Sequence, residues 1–257
     1  MDFSRIEAEC EQLPGRVGLY YRDLQTGEHF GIREEETFTA ASIIKLPIMA
    51  ELYRQFGEGS LCPDQLCEIR REDKVPSCGA VAYIHDGALL TLQDLCNLMI
   101  VISDNSAANM LARRVGVNSV NRYMQELGLR HTRMERLLYD RDGARKGRRN
   151  TFCPTDIGRF FELLWGGKIV SPDESRAMLE MLKLQQIDYK IPGMLPETVP
   201  VAHKTGEDTG ITHDAGIICA DRPFVLCIAS EDTDTVQTRQ FISRTAYALY
   251  RAHMANA

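Results

Sequence analysis

The pattern of hydrophobic positions divides the chain into a strand-rich beginning, a long helical middle and a strand-rich end. An N-terminal helical segment gives way at Pro14 and Gly15 to residues 16–32, where two short apolar runs around a glycine-containing turn predict a β-hairpin. Strand character returns only in three late runs: TVPVAHKTG (198–206), THDAGIICA (212–220) and FVLCIASE (224–231). One further helical segment, residues 238–254, closes the chain.

Helical spacing of apolar residues dominates residues 55–190. The segments that fit helices are residues 91–104, 106–116, 117–128, 155–167 and 171–185. Thr91 three residues before Asp94, and Ser171 followed by Pro172, are typical helix starts.

The order of these elements predicts the domain organisation. Strands at both ends of the chain must pair to satisfy their backbone groups, so we expect one antiparallel sheet built from both ends. The sheet lobe is assigned to residues 1–54 and 191–257, and an all-α lobe to residues 55–190. The fold class is therefore α/β in the broad sense (α+β).

Composition narrows the possible partners and the compartment. A net charge of -6 argues against a nucleic-acid surface, and the basic cluster at residues 133–149 contains acids typical of a solvated loop. No apolar stretch approaches the ~20 residues that span a bilayer, and the N-terminal segment is acidic, unlike a signal peptide. We therefore expect a small-molecule substrate, no nucleic-acid or membrane partner, and a cytoplasmic location.

The eight cysteines support the same compartment, because none forms a C-x-x-C pair and most lie in apolar runs, as reduced core cysteines do. The six histidines are scattered without metal-ligand spacing, so we expect no metal and no cofactor.

The run TAASIIKLPIMAEL, residues 39–52, contains Ser42 and Lys45 at a spacing that places both on one helix face. The simpler interpretation is a helix cap beside a lysine stem that lies along the surface. The chemical interpretation is that a desolvated, neutral Lys45 accepts the proton of Ser42, which is a weak nucleophile at its free pKa. A helix N-terminus at Ser42 would also place N–H groups near a developing oxyanion.

Two further triplets favour the chemical interpretation. They are SDN at residues 103–105 and KTG at residues 204–206. Singly, SDN could be a helix cap and KTG a strand followed by a turn. Together with S-x-x-K they suit acyl transfer: Ser103 can relay a proton to a leaving nitrogen, Asn105 can hold an amide carbonyl, and Lys204 can attract a carboxylate.

With these motifs the chain resembles the serine β-lactamases and penicillin-binding proteins, most closely the class A β-lactamase-like group. The resemblance implies an antiparallel five-stranded sheet flanked by helices, an inserted all-α lobe, and a cleft between them that holds an acyl-Ser42 intermediate. It also implies an oxyanion hole formed by the N–H groups of Ser42 and Glu207. The substrate-binding residues that it implies are Asn105, Thr205, Gly206 and Glu207.

The sequence departs from the family pattern in the Ω-loop, where a glutamate normally activates the deacylating water. The local match in RMERLLYD points to Glu135, whereas counting from either flank places Leu138 or Leu137 there; we favour a leucine. The arginine that often binds the β-lactam carboxylate corresponds to Ala215. The role of that arginine could be taken by His213, Lys204 or Arg239. Alternatively, the substrate lacks the carboxylate.

Three functions follow from these observations. The first is a serine hydrolase with β-lactam amide hydrolysis, weakened by the missing glutamate. The second is a D,D-peptidase or esterase acting on an intracellular amide or ester. The third is a penicillin-binding module that does not hydrolyse, against which the retention of all five polar motif residues argues.

Overall fold

The computed structural model describes residues 3–76 and 78–255. The chain forms two compact units. The first takes the chain up to Ile43, then Thr151–Glu162, then the chain from Ile187 onward; the second takes Ile44–Asn150 and Leu163–Gln186. The second unit is therefore built from two insertions into the first.

The strands within the described residues are β1 (Arg16–Asp23), β2 (His29–Ile32), β3 (Phe38–Thr39), β4 (Leu66–Glu68), β5 (Leu89–Thr91), β6 (Thr151–Phe152), β7 (Val201–Asp208), β8 (Ile211–Ile218) and β9 (Phe224–Glu231). The α-helices there are α1 (Ser4–Glu11), α2 (Lys45–Gly57), α3 (Leu92–Val101), α4 (Asn105–Val115), α5 (Val117–Glu126), α6 (Arg141–Arg145), α7 (Pro154–Trp165), α8 (Pro172–Leu182) and α9 (Thr235–Ala255).

The first unit contains a five-stranded antiparallel sheet in the order β2-β1-β9-β8-β7. The N-terminal hairpin joins the late strands through β1 and β9, which pair along their whole length from Arg16 opposite Glu231 to Asp23 opposite Phe224. The predicted α+β fold, with one sheet built from both ends of the chain, is confirmed.

Alternating side chains of β1 pack on opposite faces of this sheet. Val17, Leu19 and Tyr21 belong to the apolar core that includes side chains of α1 and α9. On the other face Tyr20 contacts α7 so closely that a Cβ at Gly158 would lie 2.1 Å from its ring. Helices therefore cover the sheet on both faces, as the strand pattern of buried positions requires.

The second unit is mainly helical, but it is not all-α as predicted, because β4 and β5 form a two-stranded sheet within it. The predicted helix starts are present: Thr91 accepts from Asp94 N in a capping box at α3, and Ser171 accepts from Glu174 N at α8. Their side chains satisfy N–H groups that have no partner within the helix.

The run of residues 39–52 is not one continuous helix. Thr39 pairs with Thr151 as part of β3, and Ala41 adopts a φ of 43°, so no helix extends back through Ala41 to Thr39; a 3-10 turn at Ala41–Ile44 precedes the α-helix, which begins at Lys45. A left-handed residue cannot continue a right-handed helix.

The two compact units also divide the chain differently from the predicted lobes. Residues 44–54 lie in the second unit, where α2 contacts α4 and α5. Residues 151–162, predicted within the helical lobe, lie in the first unit.

No helix within the described part of the chain is both long enough and apolar enough to cross a membrane.

Candidate active site

Ser42 lies in the 3-10 turn Ala41–Ile44 between β3 and α2. The turn begins with backbone strain, because the φ of 43° at Ala41 falls in the left-handed region that residues with a Cβ rarely adopt. The N–H of Ile43 donates to Ala40 O over 2.9 Å and closes the turn. Strain of this kind persists only where the surrounding structure holds it, and it is common in active sites.

β7 carries the KTG triplet past the Ser42 turn. A Cβ at Gly206 would lie 3.3 Å from Ile43 Cγ1 and 3.4 Å from Ala40 O, so glycine permits this close approach. Lys204 and Thr205 are buried, and Lys204 Nζ donates to Thr205 O over 3.0 Å. The sequence-predicted residues in this part of the first unit are Ser42, Lys204, Thr205, Gly206 and Glu207.

His213 lies opposite Gly206 on β8, and both of its ring nitrogens bind the backbone. Nε2 donates to Thr39 O over 2.9 Å, and Nδ1 accepts from Ser230 N over 3.0 Å. Burial lowers the pKa of His213 to about 4, although the bond to Thr39 O opposes this shift. The imidazole is therefore neutral at pH 7 and does not supply a cation for a substrate carboxylate.

Lys45 is the first residue of α2 and is fully buried in the second unit. Its Nζ donates to Ser103 O over 2.6 Å, to Ser103 Oγ over 3.0 Å and to Asn105 Oδ1 over 2.7 Å. Burial lowers the pKa of Lys45 to about 7, against the opposing charges of Cys78 and Asp104. A lysine with this pKa is about half neutral at pH 7, so it can accept a proton.

The SDN triplet is held in place by its aspartate. Asp104 caps α4 through Ala107 N at 2.9 Å, and its other oxygen accepts from Ala80 N at 2.6 Å and Val81 N at 2.8 Å. Ser103 has a left-handed φ of 58°. The cap interpretation of SDN is therefore correct for Asp104, and the same connection places Ser103 and Asn105 against the Lys45 ammonium.

Cys78 contacts this cluster and Asn109 lies one helical turn beyond it, although sequence reasoning selected neither residue. Asn109 is one helical turn after Asn105, a spacing that could have drawn attention to it. The exposed Cys78 thiol donates to Ser103 O over 3.3 Å, and Asn105 Nδ2 lies 3.8 Å from its sulfur. No local signal in the sequence places Cys78 beside Ser103, because 25 residues separate them.

The side chain of Asn109 binds the backbone of Leu138. Leu138 N donates to Asn109 Oδ1 over 2.8 Å, and Asn109 Nδ2 donates to Leu138 O over 2.9 Å. Because Asn109 follows Asn105 by one turn of α4, these two bonds hold Leu138 next to the part of the helix that contacts Lys45.

Glu135 lies elsewhere in the same loop. Its Oε2 accepts from Arg149 N over 3.0 Å, and its Oε1 lies 3.3 Å from Arg133 Nε. The backbone N–H of Glu135 donates to Asn150 Oδ1 over 2.8 Å. These contacts direct the carboxylate toward the basic end of the loop, and the structure does not bring it to the Lys45 cluster.

No group of three or more His, Cys, Asp or Glu side chains that could hold a metal ion occurs among residues 3–76 and 78–255. The groups that Lys45 Nζ contacts are the Ser103 hydroxyl, the Ser103 carbonyl and the Asn105 amide, and a lysine beside a hydroxyl suits proton transfer to and from a carbonyl substrate.

Comparisons with known proteins agree with this arrangement. A model of the beta-lactamase enzyme family matches residues 3–253. A β-lactamase from Streptomyces lavendulae is 29% identical over 259 residues, which cover 96% of this chain and 85% of that protein.

Two solved structures are similar over nearly all of the chain. The crystal structure of a β-lactamase from Sphaerobacter thermophilus has a TM-score of 0.92 and 32% identity, with 98% of each chain covered. A leucine-to-glutamate variant of PBP-A, solved as an acyl-enzyme complex with penicillin G, has a TM-score of 0.88 and 25% identity, with coverage of 98% of this chain and 96% of that one. The chain thus belongs to the β-lactamase enzyme family and is a serine hydrolase of its class A-like group.

Proposed function

We propose that this hydrolase acts on β-lactam amides through an acyl-Ser42 intermediate. The observation that carries the proposal is the buried Lys45, whose pKa is lowered to about 7 and whose Nζ contacts Ser103 and Asn105. Ser42 lies in the 3-10 turn Ala41–Ile44, three residues before Lys45, which is the first residue of α2; a separation of three residues places side chains on the same side of a helical turn.

The chemical steps follow from the residue types. Neutral Lys45 takes the proton of Ser42 Oγ as that oxygen attacks the substrate carbonyl carbon, and the N–H groups of Ser42 and Glu207 stabilise the oxyanion. The C–N bond then breaks, and the proton passes through Ser103 Oγ to the leaving nitrogen. Water finally cleaves the ester, releasing the acid and restoring the Ser42 hydroxyl.

Substrate binding is assigned to the two triplets. Asn105 holds the substrate amide through its side-chain NH₂, because its Oδ1 already accepts from Lys45. The polar groups of Lys204, Thr205 and Gly206 line the strand beside the Ser42 turn.

Deacylation is the slow step in this proposal. Leu138 takes the place of the family's Ω-loop glutamate, as supported by the two hydrogen bonds from Asn109 one turn beyond Asn105. A leucine cannot activate water, and the loss of one general base costs roughly 10²- to 10⁴-fold in the step that it serves. The Glu135 carboxylate is held by Arg133 and Arg149 N and does not replace it.

The named relatives favour β-lactam hydrolysis over the alternative of a D,D-peptidase or esterase. We further propose that the protein works in a reducing compartment, the cytoplasm. All eight cysteines lie within the described residues, and no disulfide joins any of them, a usage typical of intracellular proteins.

The test is an intact-mass time course with a penicillin and a cephalosporin, on the wild type and on Ser42→Ala. We expect an adduct on the wild type that persists for minutes or longer, and none on Ser42→Ala. Adduct formation on Ser42→Ala would refute the nucleophile. Rapid drug consumption without an adduct would refute slow deacylation.

A second arm tests the Leu138 assignment. Leu138→Glu should shorten the lifetime of the adduct by roughly 10²-fold or more, since it restores a base next to Asn109. The matched control is Leu137→Glu, which adds the same charge one residue earlier and should leave the lifetime within a factor of about three. An equal effect of both substitutions would contradict the assignment.

A further inference from the structure

Glu207, the residue after the KTG triplet, is the centre of a charged cluster in the first unit. Its Oε1 accepts from Tyr189 Oη over 2.8 Å and lies 3.4 Å from Lys190 Nζ and 3.7 Å from Arg239 Nε. The Arg239 guanidinium stacks over the Tyr189 ring at 5.5 Å. One carboxylate oxygen therefore faces two cations and a phenol.

Lys190 is built into the end of the sheet. Its side chain is fully buried, and its Nζ donates to His213 O over 2.8 Å and to Gly206 O over 3.3 Å, so it bridges β7 and β8. Removing the carboxylate partner of a buried ammonium lowers the stability of the fold, because the charge is left buried without its counter-ion. Glu207 is thus a firmly held counter-ion, although about 41% of its side chain is exposed.

Besides Lys204 of the KTG triplet, the cations at this strand end are offset by carboxylates. Burial raises the pKa of the Glu207 carboxyl, but the Lys190 charge, the Tyr189 hydrogen bond and the Arg239 charge outweigh it and lower the pKa below its usual value, so the carboxyl is ionised at pH 7. Asp214, the other acid that acts on Lys190, is occupied by Ile191 N at 2.9 Å and by the His203 ring at 2.8 Å. Two cations thus face two carboxylates, and the neutral His213 adds no further charge.

We propose that Glu207 is an internal carboxylate that occupies the cations Lys190 and Arg239, so that the enzyme selects acyl donors without a carboxylate at this position. The inference rests on the proposed acyl-Ser42 chemistry and names its substrate class, a neutral amide or ester. An anionic donor at the KTG strand meets a fixed like charge, which lowers its rate of acylation, whereas a neutral donor meets none.

The test compares two donors that differ only in this charge, penicillin G and its methyl ester. The second-order rate constant for acylation of Ser42 is measured by intact mass for the wild type, Glu207→Gln, Asp208→Asn and Arg239→Gln. The wild type should react faster with the ester than with the acid. Glu207→Gln keeps the shape of the side chain and should raise the ratio of the acid's rate constant to the ester's roughly 10- to 100-fold, a ratio from which any effect common to both donors cancels.

The other two variants separate a local charge effect from general electrostatics. Asp208→Asn removes the same charge from the next residue of β7, where the side chain is exposed, and should change the ratio of the two rate constants less than about threefold. Arg239→Gln should lower the acid's rate constant further, because it removes a cation.

Three outcomes would overturn the inference: a wild type that reacts faster with the acid than with the ester, an unchanged ratio of the two rate constants in Glu207→Gln, or an equal change of that ratio in Asp208→Asn. If neither donor acylates the wild type at Ser42, the proposed function itself fails and the inference falls with it.

Discussion

Acylation of Ser42 should follow the titration of a single group with a pKa near 7. The perturbation is a change of pH from 9 to 5, and the titrating group is Lys45. Burial lowers its pKa from 10.5 to about 7, because the charged form loses its hydration in the interior of the second unit. The charges of Cys78 and Asp104 act in the opposite direction and are outweighed.

The expected magnitude follows from the neutral fraction of Lys45. With a pKa of 10.5 only about 0.03% of the lysine would be neutral at pH 7, whereas with a pKa of about 7 half of it is. Burial therefore raises the amount of active base more than ~1,000-fold. Lowering the pH from 7 to 5 reduces the neutral fraction to about 1%, so the acylation rate should fall roughly 50-fold. Above pH 8 it should level off.

The assay is quench-flow with a fluorescent penicillin at constant ionic strength, with the labelled protein separated on denaturing gels. Lys45→Arg serves as the control, because its guanidinium stays protonated over the whole range and its residual rate should not titrate near pH 7. A wild-type rate that is constant from pH 5 to 9 would refute the role of Lys45. A rate that still rises tenfold per pH unit at pH 9 would refute the lowered pKa.

Three further results are expected. The exposed Cys78 thiol lies 3.3 Å from Ser103 O, so its alkylation should displace Ser103 and slow acylation of Ser42 roughly tenfold or more. Cys78→Ala should abolish this sensitivity to the alkylating reagent, although the exposed Cys62 is still there to react. Arg54 donates to both carboxylate oxygens of the fully buried Glu51, so Arg54→Met should lower the free energy of unfolding, measured with denaturant, by about 3–5 kcal/mol. The double variant Arg54→Met, Glu51→Gln should regain part of that free energy, and no gain would contradict an electrostatic cause. Thiol titration of denatured protein without reductant should find eight thiols, and fewer would indicate disulfides and an oxidising compartment.

Local sequence signals determined much of the fold. Apolar runs predicted strands at both ends of the chain, and the need to pair their backbone groups predicted one shared sheet, which β1, β8 and β9 form. The capping box at Thr91 predicted the start of α3 because all of its bonds lie within four residues. The S-x-x-K motif and the SDN and KTG triplets predicted the chemistry for a similar reason, as each is a short run of residue types that suits acyl transfer.

The tertiary structure decided what depends on residues that are distant in the chain. Lys45 has a pKa near 7 because it is buried against Ser103, which is 58 residues away. In the loop, the local match favoured Glu135, but the backbone that Asn109 binds from 29 residues away is that of Leu138. Glu207 likewise faces two cations that no short motif connects to it. Burial and side-chain contacts arise only when the chain is folded, so a pattern of neighbouring residues cannot contain them.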